Sequence, residues 1–265
     1  MYNLAMLKIY RESVIAGFTQ VANYKSEIWL AVLAKVFQVF LLVLFWNVIS
    51  KTSQIKLEVG ELISYFFIAN TVQVLVDGEA LRFARLLTEE IKNGTVSSFL
   101  VRPVNVPIFL YTRFLGNQGL VIIITLVITV LGFVVYFQGN LIKILLFILT
   151  VFFAFLCAFG LNLIVGSFSF WTTESKGIKH VVSHVIRVFG GSLIPITFFP
   201  YKIKLLILAT PFPSFAYIPG ILIRGSITSE IVFGIFSAFA WSSLLLFFGF
   251  WLWKKGVRQY ESVGI

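Results

Sequence analysis

Thirty consecutive residues from Leu141 to Phe170 carry a single charge, Lys143. A helix that is apolar on every face for about eight turns has no surface to offer water, and a run of this length is solvated by lipid. The rest of the chain agrees. Of its 265 residues, 59% are hydrophobic and only 12% charged, where a soluble domain carries about a quarter charged residues.

Five other stretches share this character, and a membrane-crossing helix needs about 20 mostly apolar residues. The six candidates are residues 29–49, 62–76, 114–137, 141–170, 181–199 and 231–253. The second is interrupted by Asn70, Thr71 and Gln73, and its helix is expected to continue past Asp77. The fourth is long enough to tilt. The fifth contains Gly190, Gly191 and Pro195 and is expected to be bent or broken. The fold class that follows is all-α: a polytopic membrane protein with six transmembrane helices.

Lys and Arg number 21 against 11 Asp and Glu, a net charge of +10. With the N-terminus inside, 13 basic residues flank the spans on the cytoplasmic side, 6 lie outside, and Lys35 and Arg187 fall within spans. That bias places both termini in the cytoplasm, and six spans likewise put both termini on one side. The excess charge is therefore topological. No continuous basic face interleaved with aromatics exists outside the apolar runs, so nucleic acid is not a partner.

Three segments lie between or beside the spans. Residues 1–28 place Leu4, Leu7, Val14, Phe18 and Val21 at helical spacing, which predicts an interfacial helix bracing the first span. No cleavable leader is expected, because no small-residue pattern follows the first long apolar run near Trp29. Residues 77–113 are the most polar part of the chain. They predict one helix with Leu81, Ala84, Leu87 and Ile91 along a face, a stop at Asn93-Gly94, and a short helix over 95–101 ended by Pro103. Residues 200–230 hold Pro200, Pro211, Pro213 and Pro219 among apolar pieces too short to span, which fits short re-entrant helices in the outer leaflet before the last span.

Catalytic and nucleotide-binding chemistry is sparse. The dipeptide Gly-Lys does not occur, so no phosphate-cradling P-loop is possible. His180 and His184 share a helix face without a nearby carboxylate or thiolate, a poor metal site. Cys157 is the only cysteine and sits in an apolar run as a packing residue. No span carries Asp or Glu at its centre, which weighs against an ion-coupled secondary transporter or channel. An intramembrane lipid enzyme would need a nucleophile or metal constellation that the sequence lacks. Lys35 and Arg187 can snorkel to the interface, or can face a cytoplasmic-side cavity and meet an anionic or lipid-like substrate.

The run Glu90-Ile91-Lys92-Asn93-Gly94-Thr95-Val96-Ser97-Ser98-Phe99-Leu100-Val101-Arg102-Pro103 resembles the connector of ABC-2 type transporter permeases. The segment from Ala209 to Gly220 and the tail from Arg258 to Gly264 are similar to the same family. The resemblance implies one ABC-2 type transmembrane domain over 1–265, in a bacterial inner membrane. It also implies a separate ABC ATPase subunit that carries ATP and magnesium, and a second permease, copy or homologue, with the translocation path between the two. This chain would bind no cofactor and move an amphipathic or lipid-like substrate outward. The short connector helix would be the coupling helix, carried onto Glu89, Glu90, Asn93, Gly94, Thr95, Ser98, Phe99, Leu100, Arg102 and Pro103, with Phe99 and Leu100 anchoring in an apolar groove of the ATPase. Polar residues in the spans, Asn47, Asn70, Gln73, Asn117 and Asn162, with Arg187, are the candidates for the path.

Overall fold

A computed structural model describes residues 2–21, 25–52, 58–76, 81–136, 140–172, 176–222 and 227–260. Side chains are described for these except at 2–7, 20–21, 25–29, 31–32, 35, 52, 128–136 and 176. The expectations for the Lys35 side chain and for the tail beyond Tyr260 lie outside the described residues. Every regular element among the described residues is helical. In chain order they are α1 (Tyr2–Val21), α2 (Lys25–Thr52), α3 (Val59–Leu75), α4 (Arg82–Lys92), α5 (Val96–Leu100), α6 (Val106–Asn117), α7 (Gly119–Tyr136), α8 (Leu141–Ser167), α9 (Lys176–Phe189), α10 (Tyr201–Leu208), α11 (Tyr217–Leu222) and α12 (Ser229–Arg258).

Among the described residues, two helices are long and apolar enough to cross a membrane: Leu141–Phe170, which is α8 with its terminal 3-10 turn, and α12. A third crossing is available if α6 and α7 act together, although a 61° bend separates them at Gln118. The expected third stretch therefore begins at Gly119, and its first residues belong to α6. Val36–Lys51 of α2 and all of α3 are shorter apolar helices. The expectation that the second apolar helix continues past Asp77 is overturned, since α3 ends at Leu75 with Val76 as its C-cap. The fifth stretch is broken, as its glycines and proline suggested. α9 stops at Phe189, Gly191 takes a φ of +88°, and Pro195 leads into a 3-10 turn.

α8 and α12 form the spine. Phe153 meets Phe239, the Cys157 Sγ donates to the Ala238 carbonyl at 3.3 Å, and Phe170 meets Trp253. From Phe153 with Phe239 through Gly160 with Leu245 to Phe170 with Trp253 the partners rise in number, so the two helices run parallel, which requires the chain to return once between them. The close approach is made at Gly160, where a Cβ would come within 2.9 Å of Leu245 backbone and side chain.

The broken segment between α9 and α12 is packed inside the helices: Phe215, Ala216 and Ile218 are fully buried. Carbonyls released by the breaks need donors, because an unpaired buried carbonyl is costly. Neighbouring helices supply them. Trp46 Nε1 donates to Leu193 O at 2.9 Å, Tyr65 OH to Gly191 O at 2.6 Å, Trp241 Nε1 to Ala209 O at 2.7 Å and Ser237 Oγ to Thr210 O at 3.2 Å.

α1 packs along α6, also in parallel. Tyr10 OH accepts from Asn105 N at 3.3 Å, and the Ser13 and Thr112 hydroxyls share a 2.7 Å hydrogen bond. Ser13 and Gly17 on α1 face Thr112 and Gly116 on α6, a pair of small-x-x-x-small faces that lets backbones touch. A Cβ on Gly116 would lie 2.1 Å from Val14 O, and one on Gly17 would lie 2.3 Å from Arg113 O. The contact face of α1 is thus its small polar one, and Val14 stays exposed.

Gly116→Ala should force α1 and α6 apart at an overpacking cost of about 1–3 kcal/mol. Its thermal unfolding midpoint in detergent should fall by several degrees, whereas Gly60→Ala, with nothing near its Cβ position, should match wild type. Equal midpoints would show that the glycine contact is dispensable.

Candidate functional site

The polar connector folds as the expected pair of helices. α4 ends at Lys92, Asn93 is its C-cap, and Gly94 takes a φ of +76°, the left-handed turn that glycine adopts without penalty. α5 follows and is cut off before Pro103. Thr95 Oγ1 donates to Glu90 O at 3.0 Å and also to the Glu90 carboxylate. The Glu90 carboxylate lies 4.0 Å from the Arg113 guanidinium of α6. Glu90 is thus a clamp between α4, α5 and α6, while Glu89 is exposed.

Phe99 does not face outward. It is 8% exposed, packs on Phe109 at 5.5 Å between ring centres, and carries the Arg102 guanidinium over its outer face at 5.4 Å. The expectation that Phe99 anchors in a partner's groove is therefore corrected: its ring belongs to this chain's own core, with Val96, Val106 and Phe109. The exposed apolar residues here are Leu100 at 39% and Val101 at 85%. Val101 was missed because periodicity does not tell which of several adjacent apolar residues points inward. Around this pair, Glu89, Asn93, Thr95, Ser98, Arg102 and Pro103 are all exposed, and Gly94 is half-buried.

α4 is bolted to α8. The residue at its N-cap position is Leu81, in the left-handed region at φ +47° and fully buried, with no acceptor to offer the first N–H groups. Asn162 of α8 does that work from outside the helix. Its Oδ1 accepts from Ala84 N at 3.0 Å, and its Nδ2 donates to Ala158 O at 2.9 Å. A side-chain N-cap contributes about 1 kcal/mol. One turn further, the Leu87 side chain fills the space that a Cβ on Gly166 would take, and Ser169 Oγ donates to Thr88 Oγ1 at 2.8 Å. Aromatic rings complete the joint: Phe83 of α4, Tyr111 of α6 and Phe159 of α8 touch pairwise, Tyr111 and Phe159 at 4.2 Å.

The polar residues named for the path fall in different places. Asn162 is 1% exposed and spends both ends of its amide on this chain, so it is a structural joint. Asn117 is half-buried beside Gly17 at the α1–α6 contact, and Asn47 is half-buried on α2. Asn70 and Gln73 are each 1% exposed on α3. The Asn70 Nδ2 donates to Phe66 O at 2.9 Å, but its Oδ1 and both amide atoms of Gln73 find no hydrogen-bond partner.

Of the six, Arg187 borders a cavity. This space, about 690 Å³, lies between α2 and the end of α9. Its walls include Phe37, Leu41, Phe45 and Trp46 from α2 and Leu193 and Ile194 from the break, with Gln38 and Arg187 as the polar groups. The size suits a small amphiphile.

A family model described as an ABC-2 family transporter protein matches residues 33–264. The chain belongs to this family. No curated protein matches it. An ABC-2 family protein is a membrane transport component that generally lacks a nucleotide-binding domain of its own, and membership implies an ATPase partner. Among the described residues no group of three or more His, Cys, Asp or Glu could hold a metal ion. This ABC-2 protein thus presents two features apart from its core: an exposed apolar tip on α5, and an apolar cavity with one guanidinium.

Two substitutions probe the buried polar groups. Asn162→Ala should uncap α4, so backbone hydrogen exchange over 82–87 should speed by about fivefold for a cap of ~1 kcal/mol. Exchange in α12 should be unchanged. Gln73→Met removes a buried amide whose desolvation costs about 1–3 kcal/mol, and it should raise the unfolding midpoint. A fall would mean that Gln73 has a partner in the protein in solution.

Proposed function

We propose that this chain is the permease subunit of an ABC-2 exporter, with six spans and both termini cytoplasmic. A separate ABC ATPase, holding ATP and magnesium, docks on the tip formed by α5 and drives alternating access. The substrate is amphipathic or lipid-like and leaves the cytoplasm or the inner leaflet. A second permease, copy or homologue, completes the path.

The observation that carries this reading is the mounting of the exposed Leu100–Val101 tip. α5 is clamped to α4 by Glu90 and Thr95, and α4 is capped and wedged by α8, which is parallel and packed to α12. A push on the tip is delivered through these contacts to α8 and α12, the two helices long and apolar enough to cross a membrane. Apolar anchors inside a polar rim are the usual energetic centre of a protein interface, and Glu89, Asn93, Thr95, Ser98, Arg102 and Pro103 provide that rim. Glu90 and Phe99 support the tip from within.

Co-purification from detergent-solubilised membranes tests it. Wild type should bring down an ATPase subunit, and Leu100→Asp with Val101→Asp should lose at least nine-tenths of it while remaining monodisperse. Recovery of equal ATPase with both would move the docking site elsewhere. A folded wild type that brings down none would end the exporter reading.

A further inference from the structure

The chain turns by 61° between α6 and α7, and Gln118 is the one residue between them. Its N–H donates back to Phe114 O at 3.0 Å and its carbonyl accepts from Ile122 N at 2.8 Å, so it belongs to both helices. A sharp kink has an identifiable cause, and no proline occurs from Ile108 to Tyr136. A side chain from elsewhere meets this kink. Arg82, the first residue of α4, donates from Nη1 to Gln118 Oε1 at 2.6 Å and from Nη2 to Val74 O at 3.3 Å. Val74 stands in the last turn of α3, where carbonyls run out of intrahelical donors and positive charge is favoured. One guanidinium thus ties together the end of α3, the start of α4 and the α6–α7 bend. Its planar fork suits the task, since two donors reach two different acceptors.

We propose that Arg82 is a positioning residue through which α4 sets the angle of the α6–α7 bend, carrying the connector's movement to α3 and α7 as well as to α8. The bend has room to respond. A cavity of about 10 Å³ lies beside it, lined by Val74, Arg82, Tyr111, Phe114, Gln118 and Phe155, whereas a joint packed without gaps transmits strain instead of changing angle. The other anchor of α4 is close by at Ala84, whose N–H is held by Asn162 of α8. The start of α4 is therefore tied twice, to α8 through its backbone and to the bend through a side chain. α7 packs along α3, so the two helices that Arg82 reaches are already in contact. The link belongs to the chain itself, and only its use in transport rests on the exporter reading.

Double electron–electron resonance across the bend tests it. The full chain, on a Cys157→Ser background, carries spin labels at Ile108→Cys on α6 and Val127→Cys on α7, both exposed, in phosphatidylcholine nanodiscs. Ten residues separate Ile108 from Gln118 and nine separate Gln118 from Val127, so at 1.5 Å per residue straightening the 61° bend would lengthen the separation by about 4 Å. Wild type should give one narrow distance. Gln118→Leu, which leaves Arg82 in place, should about double its width. Arg82→Met should do the same, and Arg82→Lys should fall between, because an ammonium on a flexible stem replaces a fork. Asn162→Ala loosens α4 and should also widen the distance, yet add nothing when Gln118→Leu is present, as two changes on one route do. Labels at Leu149→Cys on α8 and Leu244→Cys on α12, also exposed, should keep the wild-type distance throughout, which separates loss of the tie from loss of the fold.

An unmoved distribution in folded Gln118→Leu overturns the inference and hands the bend to Phe18 of α1, whose ring would lie 2.5 Å from a Cβ on Gly119. Widths that add in the Asn162→Ala, Gln118→Leu pair overturn it too, since α4 would then reach the bend by another route. No ATPase takes part, so a failed co-purification would leave this result standing. An unmoved bend beside a successful co-purification would remove the tie and keep the exporter.

Discussion

One buried side chain joins the two halves of this protein. α4 begins on a leucine in a left-handed conformation, a start that leaves its first N–H groups without a local acceptor. Left alone, such a helix would fray at the end that needs to be firm. Asn162 closes it from α8, and because the acceptor belongs to the membrane helix, α4 cannot unwind or swing without breaking that bond inside a dry core. The glycine at 166 and the Phe83–Tyr111–Phe159 contacts then lock the direction. A connector held only by surface contacts would absorb a push in bending. This one passes it on.

The same economy governs the broken segment before α12. A chain interrupted by prolines and a left-handed glycine exposes carbonyl groups, and here the one at Gly191 is buried while those at Leu193, Thr210 and Ala209 lie nearer the surface. Two tryptophans, a tyrosine and a serine from α2, α3 and α12 each give a hydrogen to one of them. These side chains combine apolar bodies with a single donor, which suits a site that must be dry except at one point. At the end of α9, Arg187 borders a cavity. Irregular backbone is accepted where protein donors meet it.

Much of this was legible in the sequence, and the limits were physical. Asn93-Gly94 marked the end of α4 because glycine alone enters the left-handed turn cheaply, and Pro103 marked the end of α5. The glycines and proline after α9 announced a break. The direction of Phe99 was not readable, since its partner Phe109 lies beyond a proline and only the fold brings the two together. Asn162 stood among the path candidates because a polar residue in an apolar helix looks the same whether it caps a distant helix or meets a ligand. The end of α3 at Leu75 went unseen because the apolar run continues to Val76, and the glycine that follows, Gly78, comes only after Asp77.

The contact of α1 with α6 bears on how the chain is made. The two hydroxyls that meet there belong to residues 99 positions apart in sequence, and the helices run in the same direction, so the second cannot simply fold back on the first as a hairpin. During synthesis α1 emerges first and has no partner of its own. It must wait at the membrane surface while α2 through α5 are laid down. Its exposed charges, Lys8, Arg11 and Glu12, keep it soluble at that surface, and the small faces of Ser13 and Gly17 stay unspent. When α6 arrives the backbones close directly, so α1 settles only after α2 to α5 have been made.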